Sequence, residues 1–188
     1  MFNGKIIEDF ISKENCSYLI NAAVASDLWQ TAGHEFWDNR TINYTNMIVF
    51  DKKAADIMID VLVRCQQSIK ESYGLEKIYP DLLQVIRWFP GMQQAPHADD
   101  MSNTDITGHA HRAFGSVLYL NDDYEGGHTY YPNFNFDITP KAGTLAFHPA
   151  DVAHLHGVTE VKDSIRYTVA SFWTKQKNME MKYREQPI

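Results

Sequence analysis

The sequence predicts an α+β fold that is mainly β, with two helices first and a sandwich or barrel of jelly-roll type after them. Three observations carry this expectation. Between Asp51 and Gly74 the apolar residues recur near helical period. After Pro80 that pattern gives way to short runs rich in β-branched and aromatic residues. Turn signals (Pro90-Gly91, Gly126-Gly127, Pro132-Asn133, Thr139-Pro140, Lys141-Ala142-Gly143) punctuate those runs, and short strands broken about every 8 to 12 residues indicate a sandwich or barrel.

Taken in order, Lys5 to Ile11 alternates and predicts a strand. Ser12 offers an N-cap side chain and Glu14 lies in the favourable first turn, so a helix follows over 13–26 with Leu19, Ile20, Ala22, Ala23 and Ala25. Leu28 to Arg40 is aromatic and irregular, and Met47-Ile48-Val49-Phe50 reads as a short strand. Asp51 caps a second helix over 52–73, and Gly74 stands where a left-handed C-cap needs it. Strands are then expected at Leu82–Phe89, Phe114–Asn121, Gly143–His148, Val152–Val158 and Ile165–Trp173.

A chain of 188 residues suits a single domain. Within it, 1–80 form a helical support region, 81–174 the β core and 175–188 a polar tail. Hydrophobic residues make up 44% of the chain, enough for a packed core without cross-links. Cys16 and Cys65, both in helical segments, are expected as buried free thiols rather than a disulfide. A net charge of -7 argues against a large nucleic-acid face, which needs clustered Lys and Arg. The N-terminal residues lack the pattern of a signal peptide, and no run approaches the ~18 apolar residues of a membrane span. The expected location is the cytoplasm.

The chemistry concentrates in four residues. In a strand, residues i and i+2 face the same side, so His97 and Asp99 of Pro96-His97-Ala98-Asp99-Asp100 can reach one metal. A third ligand must come from a distant strand, and His156 lies fifty-nine positions on. Two histidines and one carboxylate on one face leave coordination positions open, the arrangement of non-haem iron(II) oxygenases. Arg166 follows ten residues later on a face shared with Thr168, Ala170 and Phe172. Small neighbours leave its planar fork room to meet a carboxylate in two hydrogen bonds. His154 could share a strand face with His156, but the step to Arg166 and the following Gly157-Val158 favour His156. His109 and His111 belong to a polar loop, and His34, His128 and His148 read as structural or exposed. Asp100 is expected to point away. Arg112 reads equally as a substrate or co-substrate contact and as a rim ion pair with Asp105 or Asp122. Trp88, Trp29, Phe36, Trp37 and Tyr124 are candidates for an aromatic substrate cleft.

Several further segments resemble the prolyl 4-hydroxylase-like iron(II)/2-oxoglutarate-dependent dioxygenases. They are Gln84-Val85-Ile86-Arg87-Trp88-Phe89-Pro90-Gly91, Ser116-Val117-Leu118-Tyr119-Leu120-Asn121, Tyr124-Glu125-Gly126-Gly127-His128-Thr129, Pro140-Lys141-Ala142-Gly143-Thr144-Leu145-Ala146-Phe147 and His156-Gly157-Val158-Thr159-Glu160-Val161. With Asp9-Phe10-Ile11-Ser12-Lys13-Glu14-Asn15-Cys16, the likeness spans residues 5–174. It implies a double-stranded β-helix core with the N-terminal helices packed outside. It implies His97, Asp99 and His156 as iron ligands, and Arg166 as partner of the distal carboxylate of 2-oxoglutarate. Tyr119 would hydrogen-bond that carboxylate, and Thr168, by alternation, could add a hydroxyl. The implied cofactors are Fe(II), 2-oxoglutarate as co-substrate and O2, with ascorbate as reductant.

The implied reaction hydroxylates a C–H bond, with succinate and CO2 as co-products, on a prolyl residue of a peptide or protein. Trp88 and Gln94 stand where relatives often have tyrosine, and Ser164-Ile165 where they often have glycine. Trp88, Gln94 and Arg112 are therefore the candidate substrate residues. A free amino acid or other small molecule is the alternative substrate, and nucleobase demethylation fits the acidic chain poorly. A reading of another class is a metal-binding β-fold without catalysis. A zinc hydrolase also uses such ligands but leaves Arg166 unexplained.

Overall fold

The computed structural model describes residues 2–30, 36–102 and 108–183. Its N-terminal part holds β1 (Lys5–Ile7), α1 (Lys13–Ala25), β2 (Thr41–Asn43), α2 (Tyr44–Phe50) and α3 (Lys52–Tyr73). The β-rich part holds β3 (Tyr79–Trp88), β4 (Gln94–His97), β5 (Arg112–Tyr119), β6 (Glu125–Gly126), β7 (Thr129–Tyr131) and β8 (Phe136–Ile138). It closes with β9 (Leu145–Pro149), β10 (His156–Val158), β11 (Val161–Lys162) and β12 (Arg166–Thr174).

Side-chain caps set the helix starts. Ser12 accepts from the Asn15 amide at 3.2 Å, and Asp51 accepts from the Ala54 amide at 2.9 Å. Gly74 ends α3 at φ 62°, as its position predicts. The expected strand at 47–50 is instead α2. Asn43 caps it by accepting from the Asn46 amide at 3.0 Å, and Met47 turns inward while Val49 stays 85% exposed. The local cap and burial of one face outweigh the β-branched composition. The expected 5–11 strand stops at Ile7, because Asp9 turns the chain at φ 50°. Of the expected 152–158 strand only β10 forms; Asp151 caps a short 3-10 turn at Val152–His154.

Antiparallel pairing gives a major sheet in the order β1-β9-β5-β12-β3-β2 and a minor sheet in the order β4-β10-β7-β8. A two-stranded ribbon pairs β6 with β11. This is the jelly-roll plan, mainly β with helices outside. The central strand β12 separates two environments, as alternation requires. Tyr167, Val169 and Trp173 enter the main core with Leu62 and Ile69 of α3. Arg166, Thr168, Ala170 and Phe172 face a cavity on the other side. The helices thus brace one face of the major sheet and leave the opposite face free for a site. Among the described residues no helix is long and apolar enough to cross a membrane.

Candidate active site

His97 closes β4, and Asp99 lies two residues on, in the turn beyond the strand. Strand alternation therefore does not align this pair, contrary to expectation. Cross-strand register does the work instead: β4 and β10 pair antiparallel with His156 opposite His97, ring centroids 4.5 Å apart. The turn then folds Asp99 back so that its Oδ1 lies 3.8 Å from His97 Nε2 and 3.5 Å from His156 Nε2. One ligand atom from each of the three residues falls within 4.8 Å of the others.

The two imidazoles are oriented as ligands. Each Nδ1 sits 3.1 Å from a backbone carbonyl, of Ala95 for His97 and of His154 for His156. A carbonyl only accepts, so the proton resides on Nδ1 and the Nε2 lone pair is left free. Burial lowers the pKa of His97 and brings that of His156 down to about 4, so both rings are neutral near pH 7. For Asp99, burial pushes upward, but His156, His148, His97 and Arg112 together hold the carboxyl below its ordinary value. Neutral histidines and an ionised aspartate are the protonation states a metal requires.

Two residues shape the far side of Asp99. Gly115 on β5 leaves the space: a Cβ there would lie 1.8 Å from Asp99 Oδ2. His148 on β9 is only 3% exposed, its Nε2 3.8 Å from that same oxygen and its ring centroid 4.3 Å from that of His156. Of the two expectations for His148, structural or exposed, burial excludes the second, and the ring lines the cavity. The signal was present in alternation: Leu145 and Phe147 of β9 join the helix-side core, which sends His148 to the other face.

Arg166 begins β12 opposite Trp88 of β3. It is 2% exposed, pairs with no carboxylate among the described residues, and its Nε has no hydrogen-bond partner. Its guanidinium stands 5.3 Å from the ring centroids of both Trp88 and Tyr119. Buried polar groups are ordinarily paired, so a buried guanidinium with an open Nε in a cavity can accept an anion as its partner. The Tyr119 hydroxyl is not free to point at will: it hydrogen-bonds Thr129 Oγ1 at 2.6 Å, and burial raises its pKa.

These groups share one cavity of about 100 Å³, lined among others by His97, Asp99, His156, Arg166, Thr168 and Trp88. It adjoins a larger trough of about 530 Å³ across Trp37, Ile86, Gln94, His97, Asp99 and Phe172. Gln30, Gln84, Leu82 and Arg112 extend that trough. Arg112 finds a partner the sequence did not suggest. Its Nε donates to Asp81 Oδ2 at 3.0 Å, and its second group reaches the Asp99 carbonyl at 3.4 Å. Of the two carboxylates expected for it, Asp122 accepts instead from the Ala142 amide, and Asp105 lies outside the described residues. Arg112 also stacks on Phe172 at 3.8 Å.

The remaining candidates separate from the centre. His154 turns away to Asp151 and Asn3, which removes it as a rival to His156. His111 faces Asp81 at 3.1 Å, His128 pairs with Asp137, and Asp100 accepts from Ser102. His34 lies outside the described residues. Of the expected aromatic cleft, Trp37 and Trp88 line the cavity. Trp29 stacks under Arg87, and Tyr124 is half-buried with its hydroxyl enclosed near Arg166. Phe36 packs edge-on against Trp37 and Trp88. Sequence reasoning passed over Arg40, which is 1% exposed and lies over the rings of Phe36, Trp37 and Trp88 at 4.3, 4.8 and 4.1 Å.

Residues 83–174 match the family model of the 2OG-Fe(II) oxygenase superfamily. "Putative prolyl 4-hydroxylase" of Acanthamoeba polyphaga mimivirus is 24% identical over 140 residues, covering 70% of this chain and 58% of that protein. "Probable prolyl 4-hydroxylase 3" of Arabidopsis thaliana is 29% identical over 150 residues, covering 75% of this chain and 50% of its own length. The chain thus spans little more than half the length of these relatives. Among solved structures, the viral collagen prolyl hydroxylase of Paramecium Bursaria Chlorella virus-1, solved as a 2OG complex, superposes with a TM-score of 0.72. It is 22% identical, with 93% of this chain and 97% of that one covered. A Trichoplax adhaerens prolyl hydroxylase in complex with a hypoxia inducible factor peptide gives a TM-score of 0.69 at 18% identity, covering 94% and 86%. These likenesses establish the shared double-stranded β-helix fold.

Proposed function

Because the chain belongs to the 2OG-Fe(II) oxygenase superfamily, whose members use Fe(II), 2-oxoglutarate and O2, we propose that it is a dioxygenase that hydroxylates a prolyl residue in a peptide. One observation supports this above the others. A single cavity holds three metal-ligating side chains and, on the same wall, a buried guanidinium with an unsatisfied Nε. The donor set fits iron(II), since two neutral imidazoles and one carboxylate can occupy one face of the ion and leave the other open.

In this reading His97, Asp99 and His156 hold the metal. Arg166 takes the distal carboxylate of 2-oxoglutarate through a charge-assisted pair. Thr168 lines the same cavity and offers its hydroxyl to the same carboxylate. Tyr119 acts through Thr129, which its hydroxyl already bonds. When bound, iron and 2-oxoglutarate supply the oxidising power for C–H hydroxylation, with succinate and CO2 as co-products. The chain's own part is to bind, orient and exclude water. Trp88 and Val158 form apolar wall around the centre, and Gly115 keeps the Asp99 carboxylate in register with the two histidines.

The larger trough is the substrate side. The amides of Gln30, Gln84 and Gln94 along it can pair with peptide N–H and C=O groups, and Leu82 and Phe172 offer apolar contact. Arg112, fixed by Asp81, presents a cation beside the iron ligand Asp99. The relatives named as prolyl hydroxylases, one of them solved with a bound peptide, support a prolyl residue as the target. We further propose that residues 1–188 form one dioxygenase domain, since β1 and β2 are strands of the same sheet as β12.

The test is a screen of proline-containing peptides with Fe(II), 2-oxoglutarate and ascorbate, read as a mass gain of one oxygen matched by succinate. Wild type is expected to modify at least one peptide, and His97→Ala none. Succinate formation undiminished in His97→Ala would sink the metal assignment. Oxygen gain only on free amino acids would move the substrate class.

A further inference from the structure

Arg40 has no role in the account above, yet it is among the most completely buried side chains of the molecule. Its Nε donates to the Arg87 carbonyl at 3.1 Å and one terminal nitrogen to the Phe36 carbonyl at 2.7 Å. The other terminal nitrogen is buried and has no partner. As with Arg166, no described carboxylate forms an ion pair with it. Both guanidinium groups stand against the same indole, Arg40 at 4.1 Å from the Trp88 centroid and Arg166 at 5.3 Å.

Two cations against one buried ring are costly without an anion, because burial strips both of water and no described carboxylate neutralises either. Burial lowers the pKa of Arg40 to about 10, and repulsion from Arg166 adds to that shift. Arg40, Trp88 and Arg166 are all buried, so the field of Arg40 reaches the Arg166 end of the cavity through a low-dielectric interior with less screening than water would give. What repels a second cation there attracts an anion by the same law. Arg40 lines neither cavity, so its influence on a ligand passes through Trp88 and through its charge.

We infer that Arg40 is a positioning residue for the co-substrate: it holds the Trp37–Trp88 wall and places a second positive charge behind Arg166, which tunes the cavity to a 2-oxo acid with an anionic tail. This rests on Arg166 meeting the distal carboxylate, as proposed above. The consequence is selectivity between co-substrates. A 2-oxo acid with two carboxylates gains from Arg40, and one with an uncharged tail gains only from the shape of the wall.

The experiment compares binding of 2-oxoglutarate and 2-oxobutyrate by calorimetric titration, with Mn(II) in place of iron so that no turnover occurs. Wild type, Arg40→Met, Arg40→Lys and Arg166→Met are measured, with Arg40→Gln, which can still donate to the Phe36 or Arg87 carbonyl, in place of the Met variant should that not fold. Removing the charge at 40 is expected to weaken 2-oxoglutarate about tenfold more than 2-oxobutyrate, and Arg40→Lys to keep most of the wild-type preference. Equal weakening of both acids in Arg40→Met or Arg40→Gln, or no weakening of either, overturns the inference and leaves Arg40 a packing residue. Arg166→Met separates the two readings. If it leaves the preference intact, the assignment of Arg166 fails. If it abolishes the preference while the Arg40 variants retain it, only the role of Arg40 falls.

Discussion

Asp99 is held by four neighbours, and each has a distinct physical part. His97 and His156 face one oxygen, His148 faces the other, and Gly115 supplies the room in which the carboxylate turns. Gly115→Ala forces a shift, because its Cβ would overlap Asp99 Oδ2. The expected result is a loss of about 10- to 100-fold in Mn(II) affinity with the far-ultraviolet circular dichroism unchanged, checked by metal titration. The thiols give a second expectation at this scale. Burial raises Cys65 to about 12 and Cys16 to about 11. Neither should react with iodoacetamide at pH 8 in the folded protein, and both should react after denaturation, as mass spectrometry would read. The metal-ligand candidates and Arg166 were legible from residue type and spacing. Arg40 was not, because its meaning lies in what surrounds it: a lone arginine in an aromatic stretch carries no sign of being buried, whereas His148 had an unread signal in the alternation of β9.

At the scale of elements, caps decided more than composition did. The 52–73 helix was legible to the residue because period, N-cap and C-cap agree. The 47–50 segment was misread because Val49 and Phe50 favour a strand while Asn43 starts a helix. Asp51 does double duty, capping α3 and accepting from the Tyr18 hydroxyl at 3.0 Å. Asp51→Ala is expected to cost about 1–2 kcal/mol, seen as a melting temperature lowered by roughly 2–8 °C with metal affinity unchanged. Gly74→Ala should cost about 1 kcal/mol through its left-handed backbone alone, since no atom lies near enough to clash with the new Cβ. The His97–Asp99 argument shows the opposite lesson. Alternation was the wrong reason for a correct juxtaposition, because a turn and a cross-strand pair, which spacing cannot display, bring the three side chains together.

For the whole molecule, the division of labour follows from one sheet with two faces. The helices bury one face in the main apolar core, and the other face carries the cavity. At that second face the buried Arg166 has an Nε without a hydrogen-bond partner and no described carboxylate paired with it, so ligand binding should stabilise the fold markedly. At 100 times its dissociation constant, 2-oxoglutarate with Mn(II) is expected to add about 2.7 kcal/mol and raise the melting temperature by roughly 5–10 °C. A rise no larger with the metal and co-substrate than without them would count against the cavity as their site. The central claim is that His97, Asp99 and His156 form one iron centre. Its most direct test is the number of Fe(II) ions retained per chain after anaerobic loading with 2-oxoglutarate and gel filtration. The account predicts one ion in the wild type and none in His97→Ala, Asp99→Ala or His156→Ala, each of which keeps its cooperative melting transition. Retention of one ion by all three variants would contradict it.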